Sequence, residues 1–116
     1  QYYDGLKEWA LEVEIQLPSI PEYATNNGHM FYLVCKSEEQ RDKLIDHLKN
    51  NKIHAVFHYL SLHKSNFYRP KYIGDDLIQA DTYSDCLLRL PFFYELKRKE
   101  IELIINTTKN FHERIN

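Results

Sequence analysis

Three short apolar runs rich in strand-forming residues, separated by segments of helical period, limit this chain to a small sheet covered by helices. The runs are Met30-Phe31-Tyr32-Leu33-Val34-Cys35, Ile53-His54-Ala55-Val56-Phe57 and Cys86-Leu87-Leu88-Arg89-Leu90, the last stopped by Pro91. Ahead of them, residues 2 to 11 carry Tyr2, Leu6, Trp9 and Ala10 at helical spacing. Leu17-Pro18-Ser19-Ile20-Pro21 must then be extended or turning, because proline disfavours helix on its N-terminal side, and Thr25-Asn26-Asn27-Gly28 signals a turn. After the first run, Ser37 with Gln40 predicts a capping box, and Leu44, Ile45 and Leu48 fall on one helix face. Asn50-Asn51 should end that helix, since Asn tolerates the left-handed conformation found at many helix ends. Asp76 with Gln79 predicts another capping box, opening a helix that runs toward Ser84. Ile101, Ile104, Ile105, Phe111 and Ile115 form the apolar stripe of a terminal helix whose other face carries Lys97, Arg98, Lys99 and Glu102. The predicted architecture is a two-layer α/β (α+β) domain, a small and mostly antiparallel sheet packed with helices. Strand order is not readable from this pattern.

With 116 residues and no repeat, low-complexity tract or Gly/Ser linker, residues 1–116 read as a single domain. Apolar residues make up 43% and charged residues 28%, the balance of a chain that folds. A net charge of -2 gives no broad electrostatic reason to expect nucleic acid or anionic lipid as a partner. The chain has no apolar run of bilayer length, and Gln-Tyr-Tyr-Asp-Gly has neither the basic flank nor the apolar stretch of a signal peptide, so a cytoplasmic protein is expected. It starts in what reads as mid-helix, without Met, which suggests a piece of something longer. Cys35 and Cys86, in or beside apolar runs, read as buried reduced thiols.

Any chemistry lies between His58 and Asp75, a stretch without helical or strand period and too long for a mere connector. His54, His58 and His63 cluster there with Tyr59 and Tyr68, followed by Arg69 and Lys71. Imidazole offers a donor, an acceptor and a titratable charge near neutrality, and tyrosine adds a hydroxyl on a flat apolar body, a set suited to a polyhydroxylated, phosphate-bearing ligand. On spacing alone the same residues also read as surface-loop histidines with no ligand. No His pair is joined to a Cys pair or a His-Glu-x-x-His helix, so metal binding is not expected. Asn66-Phe67-Tyr68-Arg69-Pro70-Lys71-Tyr72 interleaves basic and aromatic residues as single-strand binders do, but is one short segment in an acidic chain. Asp75-Asp76 reads as capping residues near a helix start. With three glycines there is no phosphate-cradling loop or nucleophile elbow, and no self-contained active site.

The order of the motifs says more than any one of them. Asn27-Gly28-His29-Met30-Phe31-Tyr32, then Arg41-Asp42-Lys43-Leu44, then His58-Tyr59-Leu60-Ser61-Leu62-His63, then Ser84 and Leu88-Arg89-Leu90-Pro91-Phe92-Phe93-Tyr94 closely resembles the C-terminal region of the DegT/DnrJ/EryC1/StrS sugar aminotransferases. Ala55-Val56-Phe57-His58-Tyr59 and Leu88 to Tyr94 are most similar to the branch that converts dTDP-4-keto-6-deoxy-D-glucose to dTDP-4-amino-4,6-dideoxygalactose. The resemblance implies the small C-terminal domain of a fold-type I, PLP-dependent homodimer that moves an amino group, usually from glutamate, onto a keto sugar attached to a nucleotide. It implies that a lysine of an absent N-terminal domain holds PLP as a Schiff base, leaving no catalytic or cofactor-binding residue here and an inactive fragment. It maps the family's His-Tyr-x-x-x-His segment onto His58, Tyr59 and His63 as substrate-binding residues. Two departures stand out: Ser61 replaces a common proline, which implies a less rigid loop, and Leu96-Lys97-Arg98 lacks the usual Ser or Thr cap, an omission costing on the order of 1 kcal/mol. Two further readings are a stand-alone nucleotide-sugar-binding module and a structural interaction domain. A domain separated from its partner should expose an apolar patch that neither alternative requires.

Overall fold

In the computed structural model, which describes residues 1–112, the elements follow the order helix α1 (Tyr2–Glu12), strand β1 (Phe31–Val34), helix α2 (Glu38–Asn50) and strand β2 (Val56–Phe57). A single 3-10 turn (Leu62–Lys64), helix α3 (Ile78–Cys86), strand β3 (Leu87–Leu90) and helix α4 (Arg98–Lys109) complete it. The sheet is antiparallel in the order β1-β3-β2, so the last strand made is the central one. Register places Leu33, Leu88 and Phe57 side by side, and Tyr32, Arg89 and Val56 side by side. Side chains alternate between the faces of a strand, so the first row faces the main core and the second lies on the opposite face.

The main core joins Leu6 and Trp9 of α1, Leu44 and Leu48 of α2, Leu33 and Leu88 of the sheet, and Ile104 of α4. Burial of each such leucine contributes about 1.5–3 kcal/mol. Gly5 sits inside α1, where glycine is intrinsically unfavourable, because a Cβ there would come within 2.8 Å of the Ile105 Cδ1 atom. Side-chain hydrogen bonds lock the packed helices: Tyr2 donates to the Pro91 carbonyl at 2.9 Å, and the Trp9 indole donates to that of Phe111 at 3.1 Å. Burial raises the Tyr2 phenol pKa, keeping it a donor.

Helices α1 and α2 stop by the same device. Ile15 N–H bonds to Ala10 O at 2.8 Å and Ile53 N–H bonds to Leu48 O at 2.9 Å, each following a left-handed residue, Glu14 (φ 58) or Lys52 (φ 64). Both isoleucines are buried, and that burial offsets the cost of a left-handed non-glycine residue. Asn51, expected in that role, has φ -95. The Ser37 cap is present, its hydroxyl accepting from Gln40 N–H at 3.1 Å, and the Gln40 side chain reaches back to accept from Lys36 N–H.

Elsewhere the boundaries differ from expectation. The β2 ladder is confined to Val56–Phe57, since the left-handed Lys52 turns the chain just before Ile53. The Asp76–Gln79 box does not form: α3 starts at Ile78 after Leu77, with no side-chain cap. Cys86 closes α3 instead of opening β3. At α4 the Ser or Thr cap is absent, but the Glu100 carboxylate accepts from Lys97 N–H at 2.7 Å and supplies the reciprocal half of a capping box. Phe111 is buried just beyond α4, and Ile115 lies outside the described residues. Cys35 and Cys86 are buried and free, and burial raises the Cys86 pKa.

Candidate functional site

The segment from His58 to Leu77 is held to the body by few bonds, most of them made by α3. The Ser84 hydroxyl accepts from Ser61 N–H at 3.0 Å and donates to the Tyr59 carbonyl at 3.3 Å, so one buried side chain fixes both ends of Tyr59-Leu60-Ser61. Ser61 in turn donates through its hydroxyl to the Ala80 carbonyl at 3.2 Å. A proline at position 61 could make neither Ser61 bond, so this chain replaces a rigid backbone with a hydrogen-bonded one.

The three residues singled out by sequence fall into two groups. His58 and Tyr59 are together, rings 4.8 Å apart and edge to face. Arg89 of β3 joins them, its Cζ 5.8 Å from the Tyr59 ring centroid. His58 has a lowered pKa, first because it is desolvated, then because Arg89 and His29 lie nearby, so it is neutral at physiological pH. His63 belongs elsewhere: its Nε2 lies 3.1 Å from Asp81 Oδ1 on α3, and its ring packs 5.4 Å from that of Tyr72. The Lys64 ammonium takes the other Asp81 oxygen at 2.8 Å, and that bond lowers the Asp81 pKa.

Beside this second group opens a cleft of about 500 Å³, lined in part by Lys36, Glu38, Lys64, Asp76, Asp81 and Asp85. Among the described residues, no group of three or more His, Cys, Asp or Glu is placed to hold a metal ion. Nor do the lysines fit a covalent PLP site. Each is exposed, and Lys64 has its pKa raised by Asp81, whereas an imine-forming amine needs a depressed one. No helix among the described residues is long and apolar enough to cross a membrane.

The same segment accounts for more than half of the large apolar side chains left exposed among the described residues, including Tyr59, Leu60, Phe67, Ile73 and Ile78. A small α+β domain with a self-sufficient core on one side and an apolar, histidine-bearing segment on the other is built to face a further surface. The sequence profile of the DegT/DnrJ/EryC1/StrS aminotransferase family matches residues 1–109, and the chain belongs to that family.

Solved structures agree on the fold. DesV of S. venezuelae, solved in complex with a ketimine intermediate, superposes with a TM-score of 0.79 at 23% identity, over 99% of this chain and 32% of that one. A DegT DnrJ EryC1 StrS aminotransferase from Brucella abortus gives 0.78 at 22%, over 96% and 28%. Helicobacter pylori PseC, an aminotransferase involved in the biosynthesis of pseudoaminic acid, gives 0.66 at 16%, over 90% and 31%. The chain thus spans about a third of the length of these relatives.

Proposed function

We propose that residues 1–116 are the C-terminal small domain of a PLP-dependent nucleotide-sugar aminotransferase whose cofactor-holding part lies elsewhere in a longer polypeptide. The reaction is the conversion of a dTDP-4-keto-6-deoxy-hexose to the dTDP-4-amino sugar, with glutamate giving up its amino group and leaving as the 2-oxo acid. The complete enzyme is a cytoplasmic homodimer, and its product feeds cell-envelope polysaccharide synthesis. PLP, when bound, supplies the carrier for the amino group. This domain packs on the large one, helps to close the substrate cleft, and presents His58, Tyr59 and His63 to the sugar nucleotide.

The observation that carries this reading is the family match across residues 1–109, with His58 and Tyr59 on the segment that leaves apolar side chains exposed. The pseudoaminic acid role printed for PseC supports a sugar substrate, and the exposure of the lysines supports a cofactor lysine outside this chain. The geometry divides the labour: His58 and Tyr59 touch substrate, while His63, tied to Asp81, holds their segment in place.

Sequencing the reading frame upstream of Gln1 is the first test. A frame that starts at Gln1 would refute the proposal, and one that encodes a PLP domain allows the second test. In the complete enzyme, His58→Ala and His63→Ala should each lower kcat/KM by tenfold or more while leaving the visible absorption of the bound cofactor intact. Loss of that absorption, or wild-type kinetics in both variants, would remove these histidines from the sugar site.

A further inference from the structure

The chain's two most enclosed arginines are treated differently. Arg41, buried on α2, is paired with Glu38 at 3.1 Å and Asp42 at 2.7 Å. Arg89, half-buried on the sheet face opposite the main core, has no carboxylate within ion-pairing distance among the described residues. Its Nε atom is shut off from solvent without a hydrogen-bond partner, and so is Nδ1 of the adjacent His58. Leaving a guanidinium and an imidazole donor unsatisfied out of water is costly, and native proteins keep such groups where something else completes them. The chain holds 17 Asp and Glu residues, yet the groups around Arg89 are His58, His29 and Tyr59, none of them an acid.

We propose that Arg89, His58 and Tyr59 form a binding subsite for the oxyanion of a small-molecule ligand, a phosphate or a carboxylate group. The planar guanidinium donates two parallel hydrogen bonds to such a group, a geometry shared by both chemistries. His58, with its proton on Nδ1, donates a third. The Tyr59 ring supports Arg89 from one side and leaves its donor edge for the ligand. Arg89 lies in the β3 ladder between Tyr32 and Val56, so its backbone is fixed before any ligand arrives. The subsite rests on the geometry of this chain and stands even if the longer protein does not transaminate.

The test is an NMR titration of the 116-residue chain with sodium pyrophosphate and, separately, disodium glutarate, at constant ionic strength. The expected result is a saturable shift of the Arg89 Nε–H and His58 ring signals, with the His58 pKa rising as the anion offsets Arg89. Arg89→Gln should weaken binding at least tenfold with the rest of the spectrum preserved, and Lys7→Gln on α1 should leave it unchanged. Tighter binding of pyrophosphate identifies a phosphate-bearing ligand, and tighter binding of glutarate identifies a carboxylate. No saturable shift with either probe, or a shift that survives Arg89→Gln, overturns the proposal. If Arg89→Gln does not fold, the wild-type chain decides: a His58 pKa unmoved at saturating concentrations of both probes overturns it equally.

Discussion

The two faces of the sheet obey different rules. The face carrying Leu33 and Leu88 is closed by helices, and both residues are 0% exposed. The other carries Arg89 and leads into a segment tied down by Ser84, Asp81 and little else. One face stabilises the fold through area removed from water; the other is held by a few polar bonds and keeps apolar side chains in contact with solvent. A chain selected only for folding would not leave the second face in that condition. The difference separates what keeps the domain together from what it presents to its surroundings.

That contrast has measurable edges. Leu88→Ala, at the centre of the packed face, should cost about 2–5 kcal/mol in urea unfolding of the isolated chain, with a cavity left where β3 meets the helices. A cost near zero would mean that this core is not what holds the sheet. On the other face, Ser84→Ala should lower the opening free energy read by hydrogen exchange at the Ser61 amide by about 1–3 kcal/mol, while core amides stay protected. Uniform loss of protection would show the two regions to be one cooperative unit. Lys52→Gly removes a left-handed non-glycine from the end of α2 and should raise stability by about 1 kcal/mol, measured as a higher urea midpoint at unchanged slope.

The smallest effect is the pH dependence carried by Asp81. Its carboxyl is held below the ordinary range, chiefly by the Lys64 hydrogen bond. Its contribution is therefore complete above the unfolded value of about 3.9 and fades as pH falls through the lower folded value. Asp81→Asn should abolish this component of acid sensitivity, read as exchange at the Ser61 and His63 amides, and leave neutral-pH protection of core amides unchanged.

Much of the packed face was legible in the sequence. Tyr2, Leu6, Trp9 and Ala10 are all buried on α1, and the Ser37–Gln40 box caps α2, because helical period and capping are local signals. The left-handed residue at the end of α2 was misassigned to Asn51 because burial of Ile53, a tertiary effect, selects the position before it. The start of α3 was misplaced for a related reason: Asp76 has the right chemistry for a cap, but the helix begins two residues later, at Ile78. The pairing of His63 with Asp81 joins residues far apart in sequence, and no local pattern announces it. Arg89 was read only as part of an apolar strand. Its position between Leu88 and Leu90 did carry a signal, since strand alternation puts a residue flanked by two core leucines on the opposite face.

The strand order also has a consequence for how the chain comes into being. During synthesis β1 and β2 are made first, yet neither pairs with the other; both hydrogen-bond only to β3. Until residues 87–90 have left the ribosome, two apolar strands wait with open edges, as substrates for chaperones or for one another's copies. The arrival of β3 then closes both ladders in one event, with α3 drawn in behind it because Cys86 and Leu87 leave no slack between helix and strand. The oxyanion-facing arginine and the serine that anchors the histidine segment come into register in that step, which makes it the moment at which the domain acquires its working face.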